Sequence, residues 1–324
     1  MPRDGVTRAF LGVESSLCGR RWVGPTEADL RHAEALAQGS DMPLPLCLTL
    51  ARRGVASGDA DTYLSPTLRD LLPDPLSLRD MGVAADRLIG AVARRERVAV
   101  FADYDVDGAA SAAQLIDWLA AHGMAATLYV PDRRLEGYGP NAPAMAALAR
   151  AQDLIFCVDC GTLSHDALAA ADGADVVVLD HHLGGETLPP ALAVVNPCRQ
   201  DESGALAHLC AAAVVFLLLV EATRRRRAAG HAGPDLMALT DVVALATVAD
   251  MAPLTGVNRA LVRTGLKVLA RRERPGLRAL ADVARLDSAP RAHHLGFMLG
   301  PRINAGSRVG QADRKSTRLN SSHV

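Results

Sequence analysis

Lysine is almost absent from this chain: Lys267 and Lys315 are the only two in 324 residues. Arginine carries nearly all the positive charge of an Ala-rich sequence, a bias that reflects coding composition more than a binding surface. The formal net charge of −1 supplies no global field that would draw the chain to nucleic acid, although local basic grooves remain compatible with it. Long apolar runs are missing too. The longest, Leu209 to Val220, has 12 residues, which is too short to span a bilayer and reads as a buried helix. No charged start followed by an apolar stretch marks a signal peptide. Six cysteines with no paired framework exclude a disulfide-built secreted fold and point to a reducing, cytoplasmic location. What is present is a globular composition, 49% hydrophobic and 22% charged, in a chain long enough for one large or two ordinary domains.

Residues 1–80 read as a Pro-punctuated lead-in with helix-like stretches at Ala28–Ala37 and Leu44–Arg53. From Met81 the pattern becomes regular. Helices over 81–95, 109–121, 142–151 and 164–171 alternate with apolar strands over 98–102, 127–130, 154–158 and 176–179. Short apolar strands separated by helices predict a parallel sheet covered by helices on both faces, an α/β core over 81–205. Residues 206–313 read as a mainly helical continuation, with helices near 209–226, 236–249, 258–272, 276–284 and 292–299. The last stretch, 314–324, departs from the rest in composition, with Lys315, three serines and Asn320, and is expected to be non-native.

Acidic and histidine residues gather at the predicted strand ends. Asp103, Asp105 and Asp107, followed by Gly108, leave the first strand at alternate positions. Ligands collect at the carboxyl ends of parallel strands, and three crowded carboxylates call for a divalent cation. A solvated turn with a helix cap is the plain alternative. A calcium loop, which also begins Asp-x-Asp-x-Asp-Gly, is disfavoured because its closing Glu is replaced by Gln114. Gly108 is expected in a tight turn. Asp159 leaves a second strand between Cys157 and Cys160; with no second cysteine pair at zinc spacing, these read as core residues. Asp180, His181 and His182 leave a third strand and could supply a metal ligand, its orienting partner and a phosphate-facing cation. Asp250 ends an apolar helix, where a carboxylate opposes the helix dipole and needs a compensating partner. A mixed Asp/His set suits Mn²⁺ or Mg²⁺ better than thiolate-bound zinc.

In this order the motifs resemble the DHH phosphoesterase superfamily, and within it the single-strand-specific DNA exonucleases. The resemblance is carried by Asp103-Tyr104-Asp105-Val106-Asp107-Gly108, Leu135-Glu136-Gly137-Tyr138-Gly139, Val158 to Thr162, Asp180-His181-His182, Val248-Ala249-Asp250-Met251-Ala252-Pro253-Leu254 and Gly300 to Arg308. The lead-in segments Leu50 to Gly54 and Leu71 to Pro75 fit as well. The resemblance implies that Asp105, Asp107, Asp159, His181 and Asp250 hold two Mn²⁺ or Mg²⁺ ions, with Asp159 bridging them and Asp103 ligating or orienting. It further implies that His182 faces the scissile phosphate, that Asp180 fixes a histidine tautomer, and that Arg302, Asn304 and Arg308 contact phosphates. The implied activity is 5′→3′ hydrolysis of single-stranded DNA to 5′ mononucleotides in DNA repair and recombination. Single-strand-binding protein and a helicase are the implied partners, and no membrane is.

Two departures stand out, Ala110 in place of an expected Thr and Ser307 in place of an expected Gly; neither removes a ligand. Nothing matches the DHHA1 and OB-fold domains that the resemblance would place next, so a weak, short-substrate-biased activity is expected. A small-substrate member of the superfamily (a pyrophosphatase, an oligoribonuclease or a cyclic-dinucleotide phosphodiesterase) would begin with a His-x-Asn-type motif, whereas Phe101 stands four residues before Asp105. A non-catalytic nucleic-acid-binding scaffold would be expected to lose ligands, and here every metal position is filled. A Rossmann module lacks its glycine turn. Arg224 to Arg227 end a long helix where cations favour the dipole, so they read as a solvated helix end before a DNA contact.

Overall fold

A computed structural model of the chain describes residues 9–309; the tail expected over 314–324 lies outside the described residues. The chain divides into two compact units, Met1–Pro66 and Thr67–Val324. The first holds a 3₁₀ turn at Phe10–Gly12 and helices α1 (Glu27–Gln38), α2 (Leu44–Arg52) and α3 (Ala60–Leu64). Thr26 and Asp29 cap α1 reciprocally, each side chain accepting from the other's backbone N–H, at 3.1 and 2.7 Å. Ala33, Leu36, Cys47, Leu50 and Val55 form a small core of this unit.

The second unit opens with α4 (Leu68–Leu71) and α5 (Met81–Arg94). The order then runs β1 (Val98–Ala102), α6 (Val106–Ala121), β2 (Ala126–Tyr129), α7 (Ala142–Ala151), β3 (Leu154–Val158), α8 (His165–Ala169), β4 (Asp175–Leu179) and β5 (Ala193–Val195). The strands form one sheet in the order β2-β1-β3-β4-β5, every pair parallel. Alternation along each strand divides its side chains between two cores. Val98, Val100 and Ala102 join Leu88, Trp118 and Phe216 on one face, while Ala99 and Phe101 join Met145 and Leu168 on the other. Helices therefore cover both faces, as the unbroken apolar strands predict. The sequence reading has four of the strands; β5 escapes it because three residues after Pro189-Pro190 carry no period of their own, and pairing with Val177 to Leu179 is what makes them a strand.

Five further helices follow: α9 (Ala211–Ala228), α10 (Thr240–Ala249), α11 (Gly256–Leu269), α12 (Pro275–Val283) and a short α13 (Ala292–His294). A π-helical turn over Leu295–Leu299 then leads into α14 (Gly300–Val309). The helical continuation is thus real, but its end differs from the expectation of a helix stopping at residue 299. The π turn carries the chain past Pro301. Gly300 lets it pass α10 closely: a Cβ there would stand 3.0 Å from the Cβ of Ala249 and 2.9 Å from the Leu295 carbonyl oxygen. At the end of α9, the buried Glu221 pairs with Arg224 and Arg225, both at 2.6 Å, and Arg225 reaches Asp86 as well. Half of the arginine run is thus tied down at the helix end.

Candidate metal centre

Strand order decides where chemistry can gather. Between β1 and β3 the connections switch direction, and in such sheets the crevice beyond the strand ends is the ligand site. Asp103 follows β1, Asp159 follows β3 and Asp180 follows β4, so three adjacent strands deliver three carboxylates to one edge. Each is fixed by a backbone bond that prolongs the sheet: Asp103 N–H to the Val158 carbonyl, Asp159 N–H to that of Leu179, and Asp180 N–H to that of Val195, at 3.2, 2.9 and 3.1 Å.

Helix α6 begins three residues earlier than expected, because the Asp105 carboxylate caps it, accepting from the N–H groups of Asp107 and Gly108 at 2.8 and 3.1 Å. Gly108 is consequently helical and not in a tight turn, which corrects the sequence reading. Its need for glycine is steric: a Cβ would lie 2.4 Å from the Asp103 backbone oxygen. Asp107 points inward and is buried. Its two oxygens accept from the N–H groups of Ala211 and Ala212 at 2.7 and 2.8 Å, so the start of α9 holds the carboxylate. Cys210, which precedes the helix, makes no side-chain cap, and the Asp107 carboxylate takes that role.

His181 stands among the acids. Its Nε2 lies 3.3 Å from Asp159 Oδ1 and 3.7 Å from Asp107 Oδ2, and its Nδ1 lies 3.8 Å from Asp250 Oδ2. Asp250, just past the end of α10, thereby finds the compensating neighbour that its place on the dipole calls for. Three sets of ligand atoms lie within 4.8 Å of one another: Asp103, Asp105 and Asp159; Asp107, His181 and Asp250; and Asp159, His181 and His182. The first two sets share no residue, and the third joins them.

The electrostatics separate this group into two kinds of acid. Burial, reinforced by Asp250 and Asp105, pushes Asp107 up to about 8. Burial and the Asp105 charge push Asp103 up to about 7. Burial, then the surrounding carboxylates, holds Asp159 well above the ordinary range, and burial also raises Asp250. Asp103 Oδ1 and Asp159 Oδ1 are buried without a hydrogen-bond partner. Carboxylate oxygens left bare in this way, beside an imidazole whose protonation burial disfavours, are donors suited to a hard divalent cation.

Asp180 is as buried as Asp159 and behaves oppositely. Its Oδ2 accepts from the Thr162 N–H and hydroxyl at 3.1 and 2.7 Å, and its Oδ1 from the N–H groups of His181 and His182 and from His182 Nδ1 at 2.8, 3.2 and 2.8 Å. Burial would raise it, but the His182 hydrogen bond and charge, with Thr162, hold it at about 2. That same hydrogen bond raises His182. Asn196 completes the frame, donating to the Thr162 hydroxyl and to the His182 carbonyl, both at 2.8 Å.

The three expected phosphate contacts fare differently. Asn304 turns inward: its Oδ1 accepts from the Val106 N–H at 3.0 Å, so α14 touches the first turn of α6. Arg302 is exposed, with Nη1 donating to the Met298 carbonyl at 2.7 Å. The Arg308 side chain lies outside the described residues. Sequence reasoning places Thr162 and Tyr138 within the family motifs without giving either a role, and it missed Asn196; the Tyr138 hydroxyl donates to the Asp159 carbonyl at 3.2 Å. The start of α9 was missed as well. Cys157 and Cys160 are both buried, as core residues should be.

Residues 97–247 match the DHH family, N-terminal domain. The chain is 40% identical over 281 residues to the single-stranded-DNA-specific exonuclease RecJ of Dickeya dadantii, covering 83% of this chain and 48% of that protein. It thus spans about a third to a half of the length of the curated relatives it matches. Its fold is similar to a crystal structure of exonuclease RecJ bound to manganese (TM-score 0.68, 35% identity, covering 75% of this chain and 61% of that one). It is also similar to RecJ from Thermus thermophilus in complex with Mn²⁺ (TM-score 0.74, 32% identity, covering 92% and 42%).

Proposed function

The chain belongs to the DHH family, and from that premise we propose that it is the catalytic part of a two-metal, single-strand-specific DNA exonuclease. In this reading it hydrolyses from the 5′ end and releases 5′ mononucleotides, in the cytoplasm, during repair and recombination. The observation that carries the reading is the pair of three-residue ligand sets with no shared member, Asp103/Asp105/Asp159 and Asp107/His181/Asp250. These six residues would hold the cations. Oxygen-rich donors with one imidazole favour Mn²⁺ or Mg²⁺ over zinc. When bound, such a pair supplies charge neutralisation for the phosphodiester and an activated nucleophile at neutral pH.

The chain's own residues do the rest. Asp180 holds His182 through Nδ1, and Nε2 of the half-exposed ring, 3.3 Å from the Tyr138 hydroxyl, would meet a phosphate oxygen as a donor. Arg302 and Arg308, on α14, would bind phosphates farther along the strand. Asn304 would act on the centre by holding the start of α6. Single-strand-binding protein and a helicase are the partners that the resemblance suggests.

The test is Mn²⁺-dependent release of nucleotides from 5′-labelled single-stranded and duplex DNA, with pyrophosphate and dinucleotides as parallel substrates and Asp159→Ala as control. Release from single strands alone supports the reading. Turnover of pyrophosphate or dinucleotides in its place moves the assignment to a small-substrate phosphoesterase, and failure to bind Mn²⁺ at millimolar concentration moves it to a scaffold.

A further inference from the structure

The segment between β2 and α7, residues 130–141, carries no metal-binding residue, yet it is built firmly. Glu136 is its anchor. Its carboxylate accepts from the Tyr129 hydroxyl at 2.5 Å, from the Asp132 N–H at 2.7 Å and from Asn141 Nδ2 at 3.1 Å. Gly137 and Gly139 flank Tyr138 with φ of 86° and 74°. No atom lies within 4 Å of a Cβ built on Gly137, so glycine is required there by backbone conformation and not by space. The two left-handed residues present Tyr138 to the strand-end cluster.

What the ring meets there is specific. Its hydroxyl donates to the Asp159 carbonyl at 3.2 Å and lies 3.3 Å from both ring nitrogens of His182. The two rings stand edge to face, 5.8 Å apart at 73°. Both neighbours need holding. Asp159 is a non-glycine residue at φ 61°, a conformation that persists only where surrounding contacts determine it. His182 is otherwise fixed at Nδ1 and its backbone N–H by Asp180 and through its carbonyl by Asn196, with the His181 ring 4.6 Å from its own.

We propose that Tyr138 is a positioning residue: one hydroxyl holds the left-handed peptide of Asp159 and braces the His182 ring, joining the cation-binding carboxylates to the residue that meets the phosphate. This rests on the reading of the centre as a phosphodiesterase site.

Tyr138→Phe removes the hydroxyl and keeps the ring. The expected result on a 5′-phosphorylated oligonucleotide with Mn²⁺ is a kcat lowered about tenfold, with KM within about twofold of the parent. In the Mg²⁺-loaded and metal-free proteins, the imidazole ¹⁵N–¹H signals of His182 should shift or broaden, while the thermal midpoint stays close to that of the parent. Unmoved His182 signals overturn the proposal whatever kcat does, because the hydroxyl would then not act through that ring. A rise in KM at constant kcat also overturns it, making Tyr138 a substrate contact. If the parent protein hydrolyses no oligonucleotide, the exonuclease reading falls, while the imidazole comparison still decides the role of Tyr138.

Discussion

Asp159 and Asp180 follow neighbouring strands, are each 1% exposed, and lie within the same cluster, yet one is pushed far above the ordinary carboxylate range and the other is held at about 2. Burial is common to both and so cannot be the cause of the difference. Donors are. Asp180 accepts from two groups of Thr162 and three of the two histidines, whereas Asp159 Oδ1 accepts no hydrogen bond, with His181 Nε2 3.3 Å away, and the carboxylate faces Asp107, Asp105 and Asp103. The wall of the site, Asp180 with His182 and Thr162, is electrically complete as the chain folds. The floor, Asp103, Asp107 and Asp159, is complete only with something cationic in it. A protein that needed these acids for structure alone would have supplied partners for both.

The comparison can be broken most decisively at the floor. Asp159→Asn keeps the shape and tolerates the left-handed φ of 61°, unlike alanine. Nuclease activity should fall on the order of 10³-fold or more, while the metal-free protein at pH 8 melts no lower than the parent, since a buried carboxyl oxygen without a hydrogen-bond partner has gone. A large loss of thermal stability in the metal-free variant would mean that Asp159 is structural. Asp180→Asn attacks the wall and should do the reverse. The metal-free protein should lose about 1–3 kcal/mol as the Thr162 and His182 donors become mismatched, and turnover should fall about 10–100-fold with Mn²⁺ affinity less affected. Urea titration, calorimetry with Mn²⁺ and steady-state rates separate the two patterns.

Much of this division is legible in the sequence, and the reasons for what is not are physical. An acid that leaves an unbroken apolar run is conspicuous, so Asp103, Asp159 and Asp180 announce themselves, and strand adjacency brings them together. The partners that distinguish floor from wall are less visible. The donors that hold Asp107 are backbone N–H groups 104 and 105 residues later, which no side-chain pattern encodes. Thr162 and Asn196 are ordinary loop residues until the fold sets them beside Asp180. Asn304 is a phosphate contact only by family resemblance, its plain alternative being a helix-ending loop, whereas the π turn carries α14 onward and brings this side chain to α6.

The pH dependence of stability sharpens the contrast at intermediate size. For the floor, Asp103 and Asp107 rise from 3.8 to about 7 and about 8 on folding. Groups raised in this way give stability that is fully present below pH 3.8 and lost as pH climbs through 7 to 8. For the wall, Asp180 falls from 3.8 to about 2, so its contribution is present above 3.8 and lost as pH falls through 2. Metal-free protein should therefore be most stable in mild acid and weaken toward pH 8, and saturating Mn²⁺ should flatten the alkaline decline. Urea midpoints that hold level from pH 5 to 8 in chelator would contradict the two-kind division.

The smallest effect is expected at Asn304, which belongs to neither kind of acid but bears on the floor through α6. Its Oδ1 satisfies the Val106 N–H, one of the donors that a helix start leaves open. Asn304→Ala should cost about 1 kcal/mol, the usual effect of losing a helix-capping side chain. Asp105 and Asp107 both sit at that start, so loosening it should weaken Mn²⁺ binding by about tenfold or less, as loss of an outer support does at metal sites. A phosphate contact would behave differently, raising KM and reducing the salt dependence of binding with Mn²⁺ affinity untouched. Calorimetric Mn²⁺ titration of the variant, set beside KM at two salt concentrations, tells a residue that holds the floor from one that holds the strand.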